Sequence, residues 1–516
     1  MPSTQGRRIA ILALAATVMT APSSRAAEDR PDGAQAAADK GLADSLALLE
    51  AWVEAQRAYL DIPGISMAVV HGKDVIWSKG FGLANREAKL PAASDTLYSI
   101  CSISKLFTSL GVLQMRDEGK LALDEPIATY LPWFDVKQQY ADSPPVTLRG
   151  ILTHSSGLPR ESAQPYWTGP DFAFPTREAM IAGLESQQTL YPADTYFQYS
   201  NLGLTLAGEV VAAVSGEPYA DHQVKRILQP LGMKDTTPWL PEAEHGKRLA
   251  MGYGRRKREG EREPVRFFQT DAIAPAAGYA STALDLARFA GWQLDLLEKG
   301  GKDVVAASTL REMQHVHWMD PDWKTSWGLG FSVWRYADTT MVGHGGSCPG
   351  YRTEVAIAPA DGFGVAYLSN AIDGPTRIFT QGAYDLVAPA LKKIDERSKA
   401  SSGATGAAAA SPGEGATTPT AGVVAPPSFD ATRYTGIYES SWGEAVIVPW
   451  EGGLAILGLP SETPRKSLEK LRHVNGDTFR RVRDDGELAE TVVFELDATG
   501  KVARAVRHGN SMEKAR

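Results

Sequence analysis

Clustered basic residues, long apolar runs and cysteines are all scarce in this chain of 516 residues. The formal net charge is −8, and the nearest approach to a basic run, residues 255–258, is followed by acidic residues. The chain therefore lacks the basic face that a nucleic-acid partner requires. Beyond the N-terminal region, no apolar stretch approaches the ~20 residues of a membrane-spanning helix. We expect neither a nucleic-acid partner nor a stable membrane span.

Two common catalytic patterns are also missing. No G-x-S-x-G elbow occurs anywhere in the chain, which argues against an α/β-hydrolase. The run HVHWMD at residues 315–320 superficially resembles a zinc motif, but its aspartate falls one position late. No further cluster of His or Cys supplies the remaining ligands. We therefore expect no metal and no cofactor.

The N-terminus has the pattern of an export signal. Arg7 and Arg8 precede the largely apolar stretch 9–21, and small residues at 24–27 offer a signal-peptidase site. The sequence therefore predicts a signal peptide at residues 1–27 and a mature protein that is periplasmic or secreted. The route of export, Sec or twin-arginine, stays open.

Composition divides the remainder into three segments. Residues 28–400 alternate helical and strand-like patterns without a repeat and are predicted to form the main domain. Residues 401–427 are rich in Ala, Gly, Ser, Thr and Pro, a composition typical of a flexible linker. Residues 428–516 hold short strand-like runs separated by Gly-containing turns, which predict a small antiparallel β-barrel or sandwich.

A serine and a lysine that are three residues apart lie at the start of a predicted helix. Apolar residues at 106, 110 and 113 follow a helical period, so Ser102 and Lys105 share one helix face. A serine hydroxyl becomes a useful nucleophile when a neighbour removes its proton. A lysine can do this when burial lowers its pKa. Taken alone, the pair is equally the first turn of an ordinary helix with a solvated lysine.

Further motifs in a fixed order decide between these interpretations. LTHSSGLP at residues 152–159, YSN at 199–201 and HGG at 344–346 follow the S-x-x-K pair. Together the four elements resemble the serine β-lactamase and penicillin-binding-protein family. The closest likeness is to the class C β-lactamase type, which includes D-aminopeptidases, DD-peptidases and esterases. The resemblance implies an α/β (α+β) fold, with an antiparallel sheet flanked by helices and an all-helical region beside it. The tail resembles the small lipocalin-like barrels that follow some relatives.

The resemblance also implies a role for each matched residue. Ser102 would be the nucleophile, Lys105 its activating partner, and Tyr199 a base or proton shuttle whose pKa is lowered by neighbouring cations. Asn201 would hold the lysine or the acyl-side amide of the substrate. The backbone N–H groups of Ser102 and Ser347 would form the oxyanion hole. The predicted strand that carries Ser347 also carries His344, Gly345 and Gly346, along which the substrate would lie. His344 would offer a weak, pH-dependent positive charge.

The two cysteines flank the two proposed oxyanion donors. If Ser102 and Ser347 direct their N–H groups at one oxygen, Cys101 and Cys348 come close enough for a disulfide. An exported location favours its formation, and some related β-lactamases bridge the corresponding positions. We expect a disulfide between Cys101 and Cys348; the alternative is two buried free thiols.

The expected activity is hydrolysis through an acyl-enzyme on Ser102, acting on esters or on D-amino-acid and peptide amides. One alternative is a β-lactamase, although the lysine of the usual K-T-G element is here His344. The other alternative is a protein that binds penicillin or peptidoglycan without turnover. In each case the partner is a small molecule or a peptide, and the sequence leaves the oligomeric state open.

Overall fold

The computed structural model describes residues 39–162, 166–167, 169–258, 260–404, 429–440, 443–483, 486–507 and 510–515. The predicted signal peptide lies outside the described residues, as does most of the predicted linker. The described α-helices are α1 (Lys40–Tyr59), α2 (Ser104–Asp117), α3 (Leu148–Leu152), α4 (Arg177–Gly183), α5 (Asn201–Ser215), α6 (Tyr219–Gln223), α7 (Ala274–Ala277), α8 (Ala283–Lys299), α9 (Ala307–Gln314), α10 (Thr376–Ala404) and α11 (Pro464–Ser467).

The strands divide between the main domain and the C-terminal region. In the main domain they are β1 (Gly64–His71), β2 (Asp74–Asn85), β3 (Leu90–Pro91), β4 (Tyr98–Ser99), β5 (Gly252–Tyr253), β6 (Pro264–Val265), β7 (Ala280–Ser281), β8 (Lys302–Asp303), β9 (Val305–Ala306), β10 (Trp318–Met319), β11 (Ser326–Trp327), β12 (Ser332–Tyr336), β13 (Thr339–Cys348), β14 (Tyr351–Ala358) and β15 (Phe363–Ser369). In the C-terminal region they are β16 (Gly436–Ser440), β17 (Gly443–Trp450), β18 (Gly453–Leu459), β19 (Leu468–Asn475), β20 (Thr478–Val482), β21 (Leu488–Leu496), β22 (Val502–Arg507) and β23 (Asn510–Lys514).

A nine-stranded antiparallel sheet forms the centre of the main domain, in the order β10-β11-β12-β13-β14-β15-β1-β2-β3. The interior strand β1 is a nearly continuous apolar run because both of its faces are covered. Ala68 and Val70 pack into the core that contains α2 and α8, and Met67 and Val69 pack into the core that contains α1 and α10. The sheet thus lies between two helical layers, as the predicted fold requires.

The helix α2 is almost entirely buried, which explains its apolar period. It packs against α5 and α7, and the turn before it, which holds Ser102, lies beneath the edge of β13 and β14. The residues before α5 fix where that helix begins, since Ser200 caps it by accepting a hydrogen bond from Gly203 N at 2.8 Å. Two motifs that are far apart in the chain, S-x-x-K and Y-S-N, therefore meet at adjacent helix N-termini.

The strands β16 to β23 form a closed eight-stranded antiparallel barrel, which confirms the predicted C-terminal barrel. The strand β17 alternates between two cores. Ala445 and Ile447 point into the barrel, whereas Val446, Val448 and Trp450 pack on α1 and α10. The barrel therefore lies on the sheet face that is opposite to α2, and it does not cover Ser102.

The contact between the barrel and the main domain is partly polar. Trp52 Nε1 on α1 donates to the carbonyl of Ser461 at 3.2 Å, and Ser461 N donates to Gln56 Oε1 at 3.2 Å. A cavity of about 1410 Å³ lies between α1, α10 and the barrel, and none of the predicted site residues lines it. The helix α10 begins in the main domain and continues to Ala404.

Candidate active site

Lys105 is buried in the first turn of α2 with three polar neighbours. Its Nζ lies 3.2 Å from Ser102 Oγ, 2.7 Å from Asn201 Oδ1 and 2.8 Å from the carbonyl oxygen of Ala276. Burial lowers the pKa of Lys105 well below its usual value. A neutral amine has two N–H bonds and one lone pair. Because the oxygens of Asn201 and Ala276 accept the two hydrogens, the lone pair is left for the Ser102 hydroxyl proton.

Ser102, the predicted nucleophile, lies in a short 3₁₀ turn, Cys101–Ile103 (the nucleophile turn), that leads into α2. Cys101 adopts φ +50°, in the left-handed region that residues other than glycine rarely occupy. Ser104 Oγ holds this turn by donating to the Cys101 carbonyl at 2.6 Å. The backbone just before Ser102 is therefore kept in an unfavourable conformation by its surroundings.

A disulfide joins Cys101 to Cys348, as predicted, with the two Cα atoms 5.6 Å apart. It connects the nucleophile turn to the end of β13. Glycine is required beside it, because a Cβ at Gly346 would lie only 2.3 Å from the carbonyl oxygen of Ile100. Ser347 follows Gly346 and precedes the bridged cysteine, so its backbone is held next to the nucleophile turn.

Tyr199 lies over the same lysine. Lys105 Nζ is 4.8 Å from the centroid of the Tyr199 ring, and the guanidinium carbon of Arg160 is 4.9 Å from it. The nearby cations were expected to lower the pKa of Tyr199. Burial instead raises that pKa, and it outweighs the lowering effects of a hydrogen bond with Ser102 and of Arg160. The phenol is therefore protonated near neutral pH and is suited to donating a proton.

The LTHSSGLP loop positions Asn201 through the backbone. His154 Nδ1 accepts a hydrogen bond from Ser200 N at 3.1 Å, and the carbonyl of Arg160 accepts one from Asn201 N at 2.7 Å. Burial lowers the pKa of His154 well below its usual value, so the ring is neutral. His154 thus has a structural contact at the start of α5, consistent with leaving it out of the predicted site.

His344 is a buried, neutral residue. Its Nδ1–H donates to the carbonyl of Gly345 at 2.6 Å, and its ring lies 5.4 Å from that of Trp327. Burial lowers the pKa of His344 to about 3, with a further contribution from Lys105. The pH-dependent positive charge expected from the sequence is therefore absent from this position near neutral pH.

The structure adds Glu161, a residue that the sequence reasoning missed. Its Oε1 accepts a hydrogen bond from Asn201 Nδ2 at 2.7 Å, and its Oε2 accepts one from the Tyr166 hydroxyl at 2.5 Å. Arg160 Nε lies 3.2 Å from Glu161 Oε1. The only available signal was position, because Glu161 comes two residues after the LTHSSGLP motif.

The structure thus brings together the side chains of the predicted nucleophile, lysine, tyrosine and asparagine, with β13 alongside. Among the described residues, no group of three or more His, Cys, Asp and Glu side chains is arranged to hold a metal ion. Within the same part of the chain, no helix combines the length and the apolar character needed to cross a membrane.

Comparison with known proteins gives a consistent result. A family model described as Beta-lactamase matches residues 49–388. An unguisins hydrolase of Aspergillus campestris is 28% identical over 65% of this chain and 62% of its own length. Esterase EstB of Burkholderia gladioli is 31% identical over 40% of this chain and 52% of its own length. The chain thus spans less than two thirds of either relative.

A solved structure extends the likeness to the C-terminal region. The octameric penicillin-binding protein homologue from Pyrococcus abyssi superposes with a TM-score of 0.58, covering 91% of this chain and 100% of that chain. The two sequences are 24% identical, so this likeness is evidence for the fold.

Proposed function

The chain belongs to the beta-lactamase family, and from that premise we propose that it is a serine hydrolase that forms an acyl-enzyme on Ser102. The substrates we propose are esters and the amides of D-amino acids and peptides. One observation carries the proposal: Lys105 Nζ is buried with two carbonyl-type acceptors and with Ser102 Oγ as its third neighbour. That arrangement suits a neutral lysine acting as a base.

In the acylation step, the Ser102 hydroxyl gives its proton to the lone pair of Lys105 while Oγ bonds to the substrate carbonyl carbon. The carbonyl oxygen becomes an oxyanion, which the backbone N–H groups of Ser102 and Ser347 stabilise. Loss of one such donor typically removes ~2.7–4 kcal/mol of transition-state stabilisation. As the tetrahedral intermediate collapses, Tyr199 donates its proton to the leaving group and is reprotonated from the Lys105 ammonium.

Hydrolysis of the acyl-enzyme reverses these proton transfers. A water molecule attacks the ester carbonyl on Ser102 and gives up a proton, through Tyr199, to Lys105. The Ser102–acyl bond then breaks, and the ammonium returns a proton to Ser102 Oγ. The raised pKa of Tyr199 makes the phenol a transient carrier of the proton, while the lowered pKa of Lys105 makes the amine the resting base.

The charge of the site favours substrates that need no strong carboxylate anchor on β13. Because His344 is buried and neutral, the strand presents no cation where the usual K-T-G element has its lysine. This supports neutral esters and amides as substrates over β-lactams, because β-lactams carry a carboxylate that the K-T-G lysine usually contacts.

We also propose that the protein is exported and that a barrel domain follows the catalytic domain. The N-terminal pattern of residues 1–27 supports export, and so does the disulfide between Cys101 and Cys348, because disulfides persist mainly in oxidising compartments. Cell fractionation tests this part of the proposal. Recovery of the protein in the cytoplasm with its N-terminal residues intact would overturn it.

The function is tested by hydrolysis assays on purified protein and its Ser102→Ala variant. The panel holds a short p-nitrophenyl ester, a D-alanyl anilide, a D-Ala-D-Ala peptide and a chromogenic cephalosporin. We expect turnover of the ester or the anilide, and a fall in kcat/KM of at least about a thousandfold in the variant. Full activity in Ser102→Ala would show that the nucleophile is wrong.

The panel also separates the alternatives. If the cephalosporin is the best substrate, the protein is a β-lactamase and the charge argument about His344 fails. If the wild type forms a covalent adduct with the cephalosporin but turns over nothing, the protein binds without turnover.

A further inference from the structure

The side chain of Asn201 is held at both ends. Its Oδ1 accepts a hydrogen bond from Lys105 Nζ at 2.7 Å, and its Nδ2 donates one to Glu161 Oε1 at 2.7 Å. An asparagine amide can be rotated by 180° so that its oxygen and nitrogen exchange places. Only the orientation with Oδ1 towards Lys105 gives the lysine a second acceptor beside the carbonyl of Ala276, so whatever fixes the amide also fixes the direction of the lysine lone pair.

We propose that Glu161 is the positioning residue that sets the orientation of Asn201 and, through it, of Lys105. A carboxylate can only accept hydrogen bonds, so it selects the Nδ2 end of Asn201 and leaves Oδ1 facing the lysine. This inference rests on the proposed function, because it assigns a role in the activation of Ser102.

The contacts of Glu161 argue that it does not act as a base itself. Its Oε1 faces Asn201 Nδ2 and Arg160 Nε, and its Oε2 accepts from the buried hydroxyl of Tyr166. Both oxygens are thus engaged with donors, and neither of them faces the Ser102 hydroxyl in a described contact. The same contacts hold the carboxylate firmly in place, as a positioning role requires.

The charges of Glu161 and Arg160 provide a second, independent way to test the inference. The Glu161 carboxylate raises the pKa of Lys105, and the Arg160 guanidinium lowers it, although burial remains the larger effect. The Arg160 side chain is more than half exposed, and the described contacts of its guanidinium are with Glu161 and the Tyr199 ring. The two members of this ion pair therefore act on the lysine with opposite sign.

Two substitutions separate orientation from charge. In Glu161→Gln, the new amide oxygen still accepts from Asn201 and the new amide nitrogen donates to the Tyr166 oxygen, so orientation is kept and charge is lost. In Glu161→Asp, charge is kept, but the shorter side chain withdraws the acceptor from Asn201. Glu54→Gln is the matched control, because Glu54 forms an exposed ion pair with Arg57 on α1. Thermal unfolding of each variant checks folding.

The readout is the pH profile of kcat/KM for a p-nitrophenyl ester, whose acid limb reports the pKa of the free enzyme's base. We expect Glu161→Asp to lose roughly 10- to 100-fold in kcat with little movement of the acid limb, because the amide of Asn201 is no longer fixed. We expect Glu161→Gln to keep kcat within about threefold and to move its acid limb to lower pH. Arg160→Gln should move the limb to higher pH.

Two outcomes would overturn the inference. The first is a larger loss of kcat in Glu161→Gln than in Glu161→Asp. The second is that the acid limbs of Glu161→Gln and Arg160→Gln stay in place or move in the same direction, a result that does not depend on the Asp variant folding. Failure of the proposed function is recognised separately, because Ser102→Ala would then keep its activity whatever the Glu161 variants do.

Discussion

Removal of the disulfide should have two separable effects, one on stability and one on activity. Cys101 and Cys348 are 247 residues apart in sequence, so the bridge closes a very long loop. Loop-closure entropy gives a stabilisation of up to about 5 kcal/mol for a loop of this length. For a domain of this size, that corresponds to a fall in Tm of about 5–8 °C in the Cys101→Ala/Cys348→Ala double variant.

The effect on activity depends on the backbone of Cys101. With φ +50°, an alanine at this position is strained by roughly 1–2 kcal/mol, and without the bridge the turn is free to relax. Relaxation would move the N–H of Ser102 out of the oxyanion hole, for which we expect a loss of about 10- to 1000-fold in kcat. Glycine adopts positive φ without this strain. The Cys101→Gly/Cys348→Ala variant should therefore be at least about fivefold more active than the double alanine variant.

The two double variants are compared by thermal unfolding and by steady-state hydrolysis of a p-nitrophenyl ester. Both lose the same covalent loop, so a shared fall in Tm measures the loop and a difference in kcat measures the backbone conformation. Equal kcat values in the two variants would refute the argument from strain. An unchanged Tm in both would refute the argument from loop closure.

Three further predictions follow from the buried residues. The arginine in Lys105→Arg is always protonated and cannot accept a proton, so kcat/KM should fall by about 10²- to 10⁴-fold at every pH; a variant with half the wild-type rate would contradict the role of the lysine as base. The folded-state pKa of His344, about 3, is depressed below its unfolded value, so its contribution to stability is complete above pH ~6.5 and is lost as the pH falls towards 3. The free energy of unfolding in urea should fall between pH 7.5 and pH 5 by about 2 kcal/mol less in His344→Gln than in the wild type; equal falls would mean that the histidine is not buried in its neutral form. Trp52→Ala should lower the free energy of unfolding by about 3–5 kcal/mol, since the ring packs on Phe379 of α10 and its Nε1 donates a hydrogen bond to the carbonyl of Ser461. The kcat of the folded variant should stay unchanged, and a large fall in kcat would contradict the separation of the barrel from the site.

The order of the motifs was sufficient to predict the fold and to predict which residues of separate motifs lie close together. Ser102 and Lys105 could be placed by helical spacing, and Tyr199 and Asn201 by their motif. The spacing of the motifs in the sequence could not predict how deeply their side chains are buried. The pKa of Tyr199 and the charge of His344 depend on how deeply each ring lies. Neighbouring cations were expected to lower the pKa of Tyr199, and His344 was expected to carry the pH-dependent charge of an ordinary histidine. Both expectations were wrong because desolvation is the larger effect.

Other features could not be predicted because they depend on contacts between segments distant in sequence. Glu161 follows a recognised motif but has no periodicity or partner spacing of its own, and its contact with Asn201 exists only after the loop folds onto α5. Similarly, the alternation of β17 indicated a strand. Nothing in it indicated that the outward residues Val446 and Val448 would meet α1, because an apolar face does not specify its partner.

The most direct test of the central claim is mass spectrometry of protein quenched in acid during turnover of a p-nitrophenyl ester. We expect a mass increase equal to that of the acyl group, mapped by peptide analysis to Ser102 and absent from Ser102→Ala. The same adduct on another residue, or an equal adduct in the Ser102→Ala variant, would contradict the account.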